Sequence, residues 1–294
     1  MGVSDPAYFG WLTGALDRFE REHGGLSAIG RSRPAVDLWC LAEQRVTPAV
    51  ERILTALGAG RTRLRLFDKF PSGPDVRPLD VNRLGDVPPG SCDVVTLLRA
   101  SYFIADPGRA LAALRRLLRP GGLAIVDWLH GNSDAPVLGF PLDPRFGGEP
   151  SPLLSTYMDP AFLAEFPGEF AGLIAHVNRP PWGANVDAPG AAPGLAQRLR
   201  WLAGRGPRRD VTPAGYVDAL RADLGRGDRR LVEPALLEQH FKVRFRDARY
   251  PYRETGKFNL YLLTVLEPLG APAGGAGPIA APDMRAAGSP AAGA

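Results

Sequence analysis

Between residues 35 and 128 short apolar runs alternate with helix-like runs, and this alternation constrains the fold more than any other feature of the chain. Ala35 to Leu41 is a short apolar run. Val46 to Leu57 has helical spacing, with Pro48 in its first turn and Gly58-Ala59-Gly60 at its end. Leu64 to Phe67 and Val76 to Val81 predict strands, and Asp93 to Leu98 predicts a buried, Val-rich strand. Pro107 to Leu118 predicts a helix stopped by Pro120-Gly121-Gly122, and Leu123 to Trp128 predicts another buried strand. Fully buried strands separated by helices are the pattern of a parallel sheet with helices on its faces.

The flanking segments read differently. In Tyr8 to Glu22 the apolar residues Phe9, Leu12, Leu16 and Phe19 recur at helical spacing, and Gly24-Gly25 ends the run. Residues 129 to 240 are rich in Pro and Gly, with helical patches at Pro160 to Phe166, Ala192 to Leu202, Pro213 to Leu224 and Pro234 to His240. A stretch of this length between core strands predicts a cap or substrate-binding insertion. Val243 to Tyr250 and Phe258 to Leu266, around Arg253-Glu254-Thr255-Gly256, predict an antiparallel strand pair at a sheet edge. The expected organisation is an N-terminal helical segment (1–34), an α/β core (35–128), a cap (129–240), C-terminal core strands (241–267) and a disordered Ala/Gly/Pro tail (268–294).

Composition narrows the function classes. The chain has 294 residues, 45% of them hydrophobic, which is enough for a buried core. Two cysteines exclude a disulfide-rich scaffold; Cys40 and Cys92 are expected as buried free thiols. No apolar run reaches the ~18 residues of a membrane-spanning helix, and Met1 to Trp11 lacks the marks of a signal peptide, so a cytoplasmic location is expected. The 35 basic residues face 31 acidic ones, and all but Lys69, Lys242 and Lys257 are Arg. Arg205, Arg208 and Arg209 form one group, and Arg226, Arg229 and Arg230 another. No aromatics are interleaved with them, so they read as solvated loop ends, and no specific nucleic-acid signal remains. Gly-x-Ser-x-Gly and the phosphate-binding Gly-x-x-x-x-Gly-Lys-Ser/Thr are both absent. His176 and His240 have no metal-ligand spacing, so no metal site is expected.

One stretch carries a family resemblance. Asp93-Val-Val-Thr-Leu-Leu, Asp106-Pro107, Ala110 through Leu-Leu-Arg-Pro-Gly-Gly122 and Leu123-Ala-Ile-Val-Asp-Trp128, in that order and spacing, resemble strand four, the following helix and strand five of class I S-adenosylmethionine-dependent methyltransferases. The C-terminal strand pair resembles that family's antiparallel last strand. The resemblance implies a Rossmann-like methyltransferase sandwich, a mainly parallel sheet with an antiparallel last strand, plus a large insertion after the fifth strand. It implies S-adenosylmethionine as cofactor and methyl transfer to a small-molecule acceptor.

The resemblance also assigns residues. Asp68, ending the second strand, matches the carboxylate that accepts hydrogen bonds from the cofactor's ribose hydroxyls. Asp80, after the third strand, matches a position that contacts the adenine amino group. Asp37 and Cys40 match the first strand and its cofactor loop, and Arg99 and Ser101 follow the fourth strand, where ligands gather beyond the strand ends. Tyr102 and Phe103 either line that pocket or pack under the insertion. His130, after the fifth strand, and Tyr157, in the insertion, are the candidate catalytic bases for a hydroxyl or amine acceptor. Tyr157, His176, Trp182 and Tyr216 are candidates to shape the substrate cavity.

The chain departs from the family at the cofactor loop. Where the family reads Asp-Leu-Gly-Cys-Gly-Thr-Gly, this chain reads Asp37-Leu38-Trp39-Cys40-Leu41-Ala42-Glu43, with Trp39, Leu41 and Glu43 in place of the glycines. Glycine there allows a tight turn and close backbone approach to the cofactor. Leu41 adds bulk, and Glu43 adds bulk and a negative charge. The alternative reading is therefore a catalytically degenerate methyltransferase-like protein that has lost the cofactor and binds a ligand or partner.

Overall fold

The computed structural model describes residues 6–130, 155–157, 159–177, 212, 214–215, 218, 230–250 and 260–270. The sheet-forming strands are β1 (Val36–Leu41), β2 (Thr62–Asp68), β3 (Val76–Pro78), β4 (Cys92–Leu97) and β5 (Leu118–His130), then β8 (Phe241–Arg249) and β9 (Leu260–Pro268). They form one sheet in the order β3-β2-β1-β4-β5-β9-β8. Strands β1 to β5 pair in parallel, and β9 runs antiparallel to both its neighbours, β5 and β8. This is the mainly parallel, Rossmann-like sheet with an antiparallel last strand that the family resemblance implies. The last strand lies inside the sheet and β8 forms the edge.

Local chemistry explains where the helices start. α3 (Pro48–Leu57) has Thr47 as its cap, its hydroxyl accepting from the Val50 N–H, and Pro48 in its first turn, where proline's missing N–H costs nothing. Gly58 closes it at φ +88°, so the Gly58-Ala59-Gly60 run begins at the helix end, where the sequence placed it. α4 (Pro107–Leu117) repeats the device, with Asp106 accepting from the Arg109 N–H at 3.0 Å. α1 (Pro6–His23) covers Tyr8 to Glu22 as predicted. It is followed at once by α2 (Gly25–Ser32), which the sequence pattern did not reveal. Gly24 turns the chain at φ +60°, and the Glu20 carboxylate accepts from the Leu26 and Ser27 N–H groups, capping α2 from outside it.

Alternate residues of each strand feed two core layers. Val36, Leu38 and Cys40 of β1 pack under α1, α2 and α3 with Tyr8, Phe19, Ile53 and Leu263. Trp39 and Leu41 face the other layer, with Val95, Leu114, Trp128 and Phe162. No helix lies between β2 and β3, in keeping with the short spacing between Asp68 and Val76.

Two predicted boundaries move. The strand expected over Val76 to Val81 ends at Pro78, because Asp80 accepts from the Asn82 N–H and starts a 3-10 segment, Val81–Asp86. The Pro120-Gly121-Gly122 run lies inside β5. There Gly121 takes φ +71°, and a Cβ on Gly122 would lie 2.5 Å from the Asp93 carbonyl oxygen. Gly122 serves the close approach of β5 to β4, and Gly121 the turn at which the β4–β5 pairing shifts register.

Within the insertion, β6 (Ser155–Tyr157) pairs in parallel with β7 (Arg230–Val232). α5 (Pro160–Glu165), α6 (Pro167–Val177) and α7 (Pro234–Glu238) complete the described part. The predicted helix Ala192 to Leu202, most of Pro213 to Leu224, the turn at Arg253 to Gly256, Trp182, Tyr216, both arginine groups and the tail beyond Gly270 lie outside the described residues, as do the side chains of Tyr102 and His176. Among the described residues no helix is long and apolar enough to cross a membrane. No group of His, Cys, Asp and Glu among them could hold a metal ion.

At the amino edge of the sheet the buried carboxylates of Asp37 and Asp93 share one ionic layer. Arg119 reaches Asp37 at 2.9 Å and Asp93 at 2.8 Å; Arg63 reaches Asp37 at 3.1 Å, and Arg33 pairs with Asp93. The Asp37 N–H also donates to Asp93 at 2.7 Å.

Candidate functional site

The chain leaves β1 through α3 toward β2, and leaves β4 through α4 toward β5. The crevice between the carboxyl ends of β1 and β4 is therefore the topological switch point, where open α/β sheets bind ligands. The backbone marks this place. Among the described residues Ala42 and Arg99, both at φ +56°, are the non-glycine residues with positive φ. One directly follows β1 and the other lies just past β4. Such strained residues persist only where their surroundings over-determine them, and they cluster at ligand sites.

The β1 loop keeps the left-handed turn without glycine. Trp39 and Leu41 lie within β1 with their side chains in the core, so the loop begins at Ala42, later than the sequence match placed it. Leu41 is buried, in the core layer that also holds Val95, Leu97 and Trp128. Glu43 does lie in the loop. Its N–H donates to the Phe67 carbonyl at 2.9 Å, and the next residue, Gln44, bonds the Phe70 carbonyl and Ser72. The loops after β1 and β2 are thus stitched together.

Burial pushes the Glu43 carboxyl up to about 7, with Arg99 lowering it and the Asp127 and Asp68 carboxylates raising it. Its ordinary value is 4.5, so between the two the folded chain holds a proton that the unfolded chain has released. This contribution to stability is complete below about pH 4.5 and is lost as pH rises through about 7. In urea titrations between about pH 5 and about pH 8, wild type is expected to lose on the order of 2 kcal/mol more stability than Glu43→Gln. Equal losses would contradict this placement of Glu43.

The expected site residues divide between the two ends of the sheet. Asp68 ends β2; one carboxylate oxygen accepts from the Phe70 N–H at 2.7 Å, and the other accepts no hydrogen bond from a described residue. That leaves an acceptor for vicinal hydroxyls. Asp80 follows β3, bonded to Asn82 and 3.4 Å from Lys69. Arg99 and Ser101 follow β4 at the same edge; Ser101 is buried, its hydroxyl donating to the Asp127 carbonyl at 2.6 Å. Asp37 is placed elsewhere. It lies at the amino end of β1, about 13 Å along the strand from Leu41, in the ionic layer with Arg63 and Arg119. Cys40 points into the core beneath α3, where burial pushes its thiol up to about 12. Cys40 and Cys92 are both buried and free.

Of the two candidate bases, His130 is the last residue of β5, paired in register with Leu260; its side chain lies outside the description. Tyr157 is buried against Trp128 and Phe162, with its hydroxyl 3.4 Å from Asp159. Burial, with Asp159 beside it, pushes that phenol well above its ordinary range, so it holds its proton. Tyr157 also lines a cavity of about 200 Å³ with Asp159, Leu237, Phe245 and Arg246, next to the β8 edge.

Several site residues carried no local signal. Tyr8 of α1 donates to Asp127 at 2.5 Å. Asn82 donates to the Phe103 carbonyl and accepts from the Ala105 N–H, pinning the segment after β4. Gln44 does the same for the loop after β2. A resemblance to one family marks binding residues. It does not mark the side chains that hold the loops around them.

The methyltransferase domain family matches residues 52–126. No curated protein matches the chain. Among solved structures the chain is similar to the trans-methyltransferase CalH in complex with S-adenosylhomocysteine, at 13% identity and TM-score 0.38, over 83% of this chain and 54% of CalH. It spans about half of CalH's length. It is also similar to geranyl diphosphate C-methyltransferase from Streptomyces coelicolor, at 14% identity and TM-score 0.31, over 91% of this chain and 87% of that one. YcgJ from Bacillus subtilis is 14% identical, with TM-score 0.31, over 84% of this chain and all of its own. The strand order of the sheet agrees with the methyltransferase domain family that residues 52–126 match.

Proposed function

We propose that this protein transfers a methyl group from S-adenosylmethionine to a small-molecule acceptor. The observation that carries the reading is the Asp68 carboxylate at the end of β2, with an oxygen still able to accept hydrogen bonds, beside a switch point flanked by the left-handed turns at Ala42 and Arg99. The cofactor, when bound, supplies a methyl carbon already activated on a sulfonium. The protein's task is then alignment and exclusion of water rather than strong acid–base chemistry.

In this reading Asp68 accepts the ribose hydroxyls, and Asp80 stands at the adenine end of the crevice. The backbone at Ala42 and at Arg99 to Ser101 faces the amino-acid end. Cys40 and Asp37 lie away from the ligand. Trp128 and Tyr157 wall the acceptor side toward the insertion, which serves as the cap (129–240) over the core (35–128). His130, at the end of β5, is the residue placed to take a proton from the acceptor, because the Tyr157 phenol retains its own.

A second reading has one observation in its favour. Glu43 puts a carboxyl in the loop that would face the cofactor's own carboxylate, as in a binding module that has given up catalysis. The two readings separate in one assay. The protein is incubated with methyl-labelled S-adenosylmethionine and a small-molecule extract of bacterial cells. Protein-dependent label in the low-mass fraction is expected. Label only in macromolecules would refute the acceptor class, and no transfer, with no S-adenosylhomocysteine bound, would favour the binding module.

A further inference from the structure

We propose that Asp127 and Tyr8 are positioning residues that couple the docking of α1 to occupancy of the cofactor crevice. The inference rests on reading the carboxyl edge of the sheet as that crevice. Asp127, near the end of β5, is bonded in three directions. One carboxylate oxygen accepts the Arg99 N–H at 2.5 Å, and the other accepts the Tyr8 hydroxyl at 2.5 Å. Its backbone carbonyl accepts the Ser101 hydroxyl at 2.6 Å. Tyr8 and Asp127 are both fully buried.

The geometry joins a helix to a strained turn. Arg99 holds a left-handed conformation that a side-chain-bearing residue adopts only under constraint. The Asp127 carboxylate supplies the constraint by fixing its N–H. The Arg99 guanidinium in turn lies 5.2 Å over the Tyr8 ring. Tyr8 therefore touches both the carboxylate that fixes the turn and the side chain that leaves it. The charged and titratable groups around Asp127 come from each neighbouring element: Tyr8 from α1, Arg99 from the β4 turn, Glu43 from the β1 loop and, beyond Tyr8, Tyr261 from β9. Burial lifts the Asp127 carboxyl only to about 6, so near neutral pH the ionised form accepts both bonds.

The rest of α1 is anchored independently. Trp11 and Arg18 bond Asp247 of β8, and Asp17 pairs with Arg52 of α3. Releasing Tyr8 thus loosens the first turn of the helix, ahead of Trp11, without undocking the whole. A carboxylate buried under α1 has no route to an acceptor; its chemistry is to hold the turn on one side and the helix on the other. A ligand that stabilises the Arg99 turn must then stabilise the start of α1, because coupling is reciprocal.

The test is hydrogen exchange of the α1 amides in the full chain, with and without S-adenosylhomocysteine, alongside calorimetric titration. In wild type, ligand is expected to slow exchange over residues 8–12. Tyr8→Phe keeps the ring and removes one hydroxyl; it is expected to abolish that slowing and to weaken binding about fivefold. Asp68→Ala, at ligand concentrations that saturate it, is expected to keep the slowing. Wild-type exchange that ligand leaves unchanged, or a Tyr8→Phe chain with full affinity and full slowing, would overturn the coupling while leaving the cofactor assignment intact. No binding by wild type would overturn both.

Discussion

Replacing Asp68 with alanine is expected to raise the Kd for S-adenosylhomocysteine about a hundredfold. A carboxylate accepting two ribose hydroxyls makes charge-assisted hydrogen bonds, each contributing about 1.5 kcal/mol or more, and about 3 kcal/mol is a factor of roughly a hundred. The effect should fall on binding and not on folding. Asp68 is part-exposed at a strand end, and among the described residues its carboxylate accepts one hydrogen bond, from the exposed Phe70 N–H. Asp68→Asn keeps an acceptor for Phe70 but offers the ribose one acceptor oxygen fewer, so its Kd should lie between the two. A hundredfold loss with an unchanged urea midpoint supports the assignment. Affinity unchanged in Asp68→Ala would place the ribose elsewhere.

The second large effect belongs to the opposite edge of the sheet. Arg119→Ala is expected to cost about 3 kcal/mol of stability, read as a lowered urea midpoint. Among the described residues Arg119 is the one guanidinium that reaches both buried carboxylates, Asp37 and Asp93. Removing it leaves two nearly inaccessible charges short of a partner, and breaking a buried pair from one side typically costs about 3–5 kcal/mol. The lower end applies because Arg33 and Arg63 remain and Arg119 is itself part-exposed. Ligand affinity should not change, because this layer lies at the far end of the strands. A loss below about 0.5 kcal/mol, as for an exposed pair, would mean that the layer contributes nothing.

The two effects mark what the sequence made legible. Strands such as Asp93 to Leu98 and Leu123 to Trp128 are fully buried, so their apolar runs announce them, and the turn chemistry of Pro48, Gly58 and Asp106-Pro107 sets the helices between. The resemblance put Asp68 at the end of the second strand, and β2 does end there. Asp37 was drawn to the wrong end of β1 by the loop comparison. The glycine pattern was matched over Trp39 and Leu41, but the apolar run continues to Leu41 and the turn comes at Ala42. Alanine gives no signal of positive φ, so the true turn was invisible. Tyr8 and Asp127 are 119 positions apart, and no local periodicity reports a contact made only when α1 folds back over the sheet. α2 was hidden for a similar reason: its cap is Glu20, which lies in the preceding helix.

The measurement that bears most directly on the account is calorimetric titration of the intact chain with S-adenosylhomocysteine near neutral pH. The account predicts saturable binding at one site per chain, weakened about a hundredfold by Asp68→Ala and retained by Arg119→Ala. No heat of binding at millimolar ligand, or binding indifferent to Asp68, would contradict it.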